Sequence, residues 1–116
     1  MPADLHAHAA ARPAGQAPER VDLRAGEERT LLLDCRALLG TGELIESAPA
    51  ATATPAGLRV STVRSRAGTH VELSARCPAI GEMRGAPWRD YLVTARLRTT
   101  RGQVLQAALT LRVHAE

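Results

Sequence analysis

The sequence predicts an all-β domain, an immunoglobulin-like antiparallel sandwich of about seven strands behind an extended N-terminal arm. Three observations carry this expectation. Short runs of alternating apolar and polar residues recur along the chain, separated by Gly, Pro and Thr, and no helical period appears. The chain closes on a long hairpin, with alternating residues 91–98, the turn Thr99-Thr100-Arg101-Gly102 and a second alternating run over residues 103–113. A Tyr, Tyr91, opens the first strand of that hairpin.

Taken in order, residues 1–19 are Ala- and Pro-rich and lack periodicity. They read as an arm with no core of its own, and residues 20–116 as the folded domain. Val21-Asp22-Leu23 is a short first strand, followed by a turn over residues 24–28. Residues 29–35 form the next strand, with Leu31, Leu33 and Cys35 on one face and Leu32 on the other. A connection over residues 36–42 lets Leu38 and Leu39 plug the end of the core. Residues 43–48 are expected as a third strand centred on Leu44 and Ile45. Residues 49–56, rich in Ala, Thr and Pro, read as a loop with room for a short edge strand.

Leu58, Val60 and Thr62 line one face of the next strand. Ser65-Arg66-Ala67-Gly68 turns it back into a strand with Val71, Leu73 and Ala75 inward. Residues 77–89 hold Pro78, Gly81, Gly85 and Pro87 and read as a crossing loop between sheets. In the closing hairpin, Tyr91, Val93, Ala95 and Leu97 face inward, and so do Leu105, Ala107, Leu109, Leu111 and Val113. Arg96, Arg98 and Arg112 face out, while Val104 and Ala108 soften the outer face. A one-residue slip would reverse both faces, so the register is strongly specified.

The chain has 116 residues, enough for one core, and 45% of them are apolar. Only 2% are aromatic and Phe is absent, so the core must be aliphatic. All 15 basic residues are Arg, as a GC-rich genome would produce, and the net charge is +3. The arginines are spread rather than striped, and one Trp with one Tyr gives no stacking platform, which argues against nucleic acid as the main partner. No run is long and apolar enough to span a bilayer. The start of the chain lacks the basic and apolar regions of a signal peptide, so synthesis in a cytoplasm is expected. In that compartment Cys35 and Cys77 are expected as buried thiols rather than a cross-sheet disulfide, and their spacing matches no metal site.

Chemistry-bearing residues do not assemble in the sequence. His6 and His8 form a His-x-His pair without a third ligand, and His70 and His114 have no nucleophile or carboxylate at triad spacing. The carboxylates of Glu27, Glu28, Asp34, Glu43, Glu46 and Asp90 lack the aromatic lining of a sugar cleft. Gly40-Thr41-Gly42 is too short for a dinucleotide fingerprint. No catalytic residue, cofactor or metal is therefore expected. Tyr91 is either a tyrosine-corner residue bonded to upstream backbone or an ordinary strand Tyr. Trp88 is either a cap on the sandwich or an interface anchor.

The order of features resembles the family of phage fiber-tail adaptor proteins, small Ig-like phage structural proteins. The resemblance covers residues 21–113. It rests on Leu33-Asp34, Gly42-Glu43-Leu44-Ile45-Glu46-Ser47, Gly57-Leu58-Arg59-Val60, Tyr91-Leu92-Val93-Thr94 and Thr99-Thr100-Arg101-Gly102, followed by an apolar last strand. The chain departs from the pattern at Cys35-Arg36, where the family often has an aromatic, and at Gly42-Glu43, where it often has Gly-Asp. The residue 77–89 loop is also longer. The resemblance implies a structural component of a tailed-phage virion near the head-to-tail junction, linking tail machinery to fibers and carrying no catalysis. The implied partners are tail or connector subunits and a tail fiber, in a multi-copy ring. The arm and outward residues then supply contacts: Arg12, Pro13, Trp88, Arg96, Arg98 and Arg112. A second reading is an Ig-like binding module that decorates a capsid or recognises a bacterial surface.

Overall fold

A computed structural model of the protein describes residues 7–12 and 16–116. Eight strands are present among these residues: β1 (Ala7–Ala10), β2 (Arg20–Arg24), β3 (Glu28–Asp34), β4 (Ile45–Thr54), β5 (Arg59–Arg66), β6 (His70–Arg76), β7 (Trp88–Thr99) and β8 (Val104–His114). They form two four-stranded sheets, β1-β3-β6-β5 and β2-β8-β7-β4, packed face to face as a β-sandwich.

The alternation read from the sequence sets the core. Leu31, Leu33, Val71, Leu73 and Ala75 point inward from the first sheet, and Tyr91, Val93, Leu97, Leu109 and Leu111 from the second. Period-two alternation places one residue in two on the inner face of each strand, and the inner faces interdigitate. Leu38 and Leu39 pack against this cluster from the turn after β3. Cys35 and Cys77 are buried free thiols. Burial, then the charge of Asp34, pushes Cys35 up to about 12. Burial, then Glu27, pushes Cys77 up to about 11.

Three expectations change. The sheets are mixed rather than purely antiparallel, because β1 runs parallel to β3 and β2 parallel to β8. Alternation marks a strand but carries no sign of its direction, and neither N-terminal strand reaches its partner through a hairpin. Ala7–Ala10, within the segment read as an arm, pairs with β3, and Ala9 and Ala11 belong to the core. Alanine brings too little apolar surface for such a strand to stand out in the sequence. The third strand starts at Ile45 rather than at residue 43 and continues to Thr54, through most of the expected loop. Pro49 fits because register shifts break its pairing with β7 on both sides of Ser47, before regular pairing resumes at Ala50.

Between β4 and β5 the chain crosses from one sheet to the other through Gly57, whose φ is +121°. A Cβ at this position would also stand 3.2 Å from the Tyr91 hydroxyl oxygen, a tight contact, so glycine suits it on two counts. That hydroxyl is buried and has no hydrogen-bond partner among the described residues. Tyr91 is therefore a core residue against Gly57, not a tyrosine corner.

Candidate interaction surface

The closing hairpin forms in the expected register, with Tyr91 opposite Leu111 and Arg98 opposite Val104. Its turn is held by a polar network. The Thr99 hydroxyl donates to Glu43 Oε2 (2.7 Å), and the Gly40 amide donates to Glu43 Oε1 (2.9 Å). Thr100 N–H reaches the Leu44 carbonyl, and an Arg101 guanidinium N–H reaches the Thr41 carbonyl. The Gly40 amide, then the Thr99 hydroxyl, lowers the Glu43 pKa, so the carboxylate stays ionised. Glu43 thus clamps the hairpin tip to the residues before β4 instead of serving as a strand residue.

This rigid hairpin presents the outer face of the second sheet. Leu92 and Val104 lie on it, 45% and 52% exposed. Arg96 is opposite Gln106 and Arg98 opposite Val104 on the same face. Neither arginine has an ion-pair or hydrogen-bond partner among the described residues. A cleft of about 600 Å³ runs along this face, lined by Arg12, Leu92, Thr94, Val104, Gln106 and Ala108. Arg12 is anchored there by the Ala17 carbonyl (3.3 Å) and by Glu19, 3.6 Å away. The fold therefore brings Arg12 to the sheet face that carries Arg96 and Arg98, although of the three only Arg12 lines the cleft. Pro13 lies outside the described residues.

Trp88 and Arg112 sit elsewhere. Trp88 is eight residues from Arg96 along β7, about 26 Å of strand. The Arg112 guanidinium stacks 3.9 Å from the Trp88 ring centroid and donates to both Asp90 oxygens, at 2.7 and 3.0 Å. The Arg112 hydrogen bond lowers the Asp90 pKa, and the same bond raises that of Arg112. The ring lines a groove of about 780 Å³ together with Ile80, Pro87, His114 and Ala115. Trp88 is thus surface-exposed rather than a core cap. Within the six residues expected at the interface, it forms a second cluster with Arg112, separate from the first.

The first sheet offers one arrangement with the connectivity of a relay. The Thr69 hydroxyl is 2.7 Å from His70 Nδ1, and His70 Nε2 is 3.8 Å from Asp34 Oδ2. Arg36 already donates to both Asp34 oxygens, at 2.7 to 3.1 Å. That bond holds the Asp34 carboxyl at about 2, against an ordinary value of 3.8. The 3.8 Å gap is too long for a hydrogen bond, and neither cleft described above reaches this group. Among the described residues no three His, Cys, Asp or Glu side chains gather as a metal site. Among the described residues no helix is long and apolar enough to cross a membrane.

Sequence reasoning missed Leu92 and Val104 as surface contacts. The usable signal was an apolar residue at an outward position of an alternating strand. Comparison with protein families and with curated proteins finds no match.

Proposed function

We propose that this chain is a non-enzymatic structural protein of a tailed-phage virion, an Ig-like adaptor in the head-to-tail or tail region that joins tail machinery to tail fibers. The observation that carries the reading is the outer face of the second sheet. It exposes Leu92 and Val104 at the two ends of a stretch that also holds Thr94, Arg96, Gln106 and Ala108, and Arg96 and Arg98 have no charge partner among the described residues. An exposed face that mixes apolar residues with unanswered charge is a usual form of a protein-docking surface. The unpaired arginines suit an acidic rim on the partner, such as a tail or connector subunit. The resemblance in the hairpin, Tyr91-Leu92-Val93-Thr94 and Thr99-Thr100-Arg101-Gly102, supplies the phage context.

The test is incorporation into particles. A tagged chain should copurify with tails and image as a ring of copies. The variant Leu92→Asp/Arg96→Glu should remain folded, because both sites are exposed, and lose incorporation at least about tenfold, as expected when a central contact worth about 1.4 kcal/mol or more is removed. Absence of the wild-type chain from particles, or full incorporation of the variant, overturns the reading. The runner-up, an Ig-like module that decorates a capsid or recognises a bacterial surface, is favoured by the Trp88 groove. It predicts that Trp88→Ala, rather than the Leu92 variant, abolishes binding.

A further inference from the structure

Most arginines of the first sheet and its margins find an acid. Arg29 pairs with Glu27, Arg36 with Asp34, and Arg64 and Arg66 share Glu72. Arg59 on β5 and Arg76 on β6 do not. They stand directly opposite each other in the strand register, and both are exposed. Neither has a hydrogen-bond or ion-pair partner among the described residues. Residues opposite each other on antiparallel strands have Cβ atoms about 5 Å apart, and like charges in that position repel. Glu28 lies opposite Arg76 from β3 but makes no ion pair with it. A lone carboxylate beside two guanidiniums would in any case leave net positive charge.

Arg59 opens β5 and Arg76 closes β6, so the pair sits at one end of the sheet. There both line a cleft of about 390 Å³. Part of its wall is Gly26, where an added Cβ would meet nothing within 4 Å, so this side stays open. Two acidic groups also line the cleft, and neither answers the arginines. Glu82 is turned to its own turn, where Oε1 accepts the Ala79 N–H at 3.0 Å. Cys77 is kept a neutral thiol by burial.

We infer that this cleft is an oxyanion site and that its ligand is a phosphate group held between Arg59 and Arg76. Each guanidinium offers a planar fork of donors that fits the oxygens of a phosphate. A phosphate monoester carries a charge of about −1.5 to −2 and three strong acceptor oxygens, enough to answer both arginines at once. A carboxylate has a single charge and leaves one arginine unanswered. The cleft volume lies at the lower end of the range for small-molecule sites, which suits a phosphate with a short organic group attached. Bound there, the phosphate turns a repelling cross-strand pair into a bridge, so binding also stabilises the fold. This inference does not depend on the phage reading.

Isothermal titration calorimetry of the full chain with inorganic phosphate and with glycerol 3-phosphate, at about pH 7.5 where the group is mostly a dianion, tests it. Wild type should bind at least one of the two at a single site with a dissociation constant of about 1 mM or below, and acetate at least about tenfold more weakly. Arg59→Gln and Arg76→Gln, both at exposed positions, should keep the native circular dichroism spectrum and each weaken phosphate binding at least about tenfold. Arg98→Gln removes the same charge from the other sheet and should leave phosphate binding unchanged. Tighter binding of glycerol 3-phosphate than of inorganic phosphate assigns the site to a phosphorylated organic molecule, and any other order assigns it to free phosphate. Failure of both probes to bind, acetate binding as tight as phosphate, full binding by both site variants, or an equal loss in Arg98→Gln overturns the inference.

Discussion

On the outer face of the first sheet, Glu72 is buried beneath Arg64 and Arg66, and Asp34 is held by Arg36 with His70 beside it. On the outer face of the second sheet, Arg112 meets Asp90 and Arg20 meets Asp22 at one end, and Arg12 meets Glu19 beside the cleft. That face also exposes Leu92 and Val104, and its Arg96 and Arg98 have no partner among the described residues. Both faces arise from the same alternating pattern on similar strands. The first sets acids and arginines in register on neighbouring strands, so its centre answers its own charges. The second sets arginines opposite Gln106 and Val104, so part of it is left unanswered by the described residues. A face that completes its own contacts is part of the fold, and a face that does not is available for binding.

The largest effect that would sharpen this contrast is on folding. Glu72→Ala should lower stability by about 1 kcal/mol, because it leaves Arg64 and Arg66 without their shared carboxylate. Leu92→Asp on the other face should change stability by less than about 0.5 kcal/mol. Urea denaturation of both variants decides it, and equal losses would erase the distinction between the faces.

A smaller effect is pH-dependent. The Arg36 hydrogen bond depresses the Asp34 pKa to about 2 in the folded state, below its ordinary 3.8. A depressed carboxyl stabilises the fold above its unfolded value, and that contribution disappears as pH falls from about 4 toward about 2. Asp34→Asn should therefore flatten the acid limb of stability in that window. An unchanged limb in the variant would mean that Asp34 is not tied to Arg36 in solution.

The smallest effect belongs to the layer between the faces. Tyr91→Phe removes a buried hydroxyl without a partner among the described residues, and should be neutral or stabilising by up to about 1 kcal/mol. A loss greater than about 1 kcal/mol in thermal denaturation would reveal a hydrogen bond to that hydroxyl and restore the tyrosine corner.

The sequence by itself determined the all-β class, the two-layer core and the register of the closing hairpin. Period-two alternation is a local property, and with Leu, Val and Tyr91 on the inner positions only one face can be buried. It also determined which way Arg96, Arg98 and Arg112 point. Tertiary structure alone decided three things. Strand direction at the N-terminus was one, since alternation has no polarity and alanines carry little burial signal. The Glu43–Thr99 clamp was another, because it joins residues 56 positions apart. The last was the division of the expected contact residues into two clusters. Arg12 comes to the face that carries Arg96 and Arg98 because residues 16–19 run beside β8, and Trp88 stands apart because it begins the extended β7. Which polar groups find partners is a matter of cross-strand neighbours, and those are fixed by sheet order rather than by position along the chain.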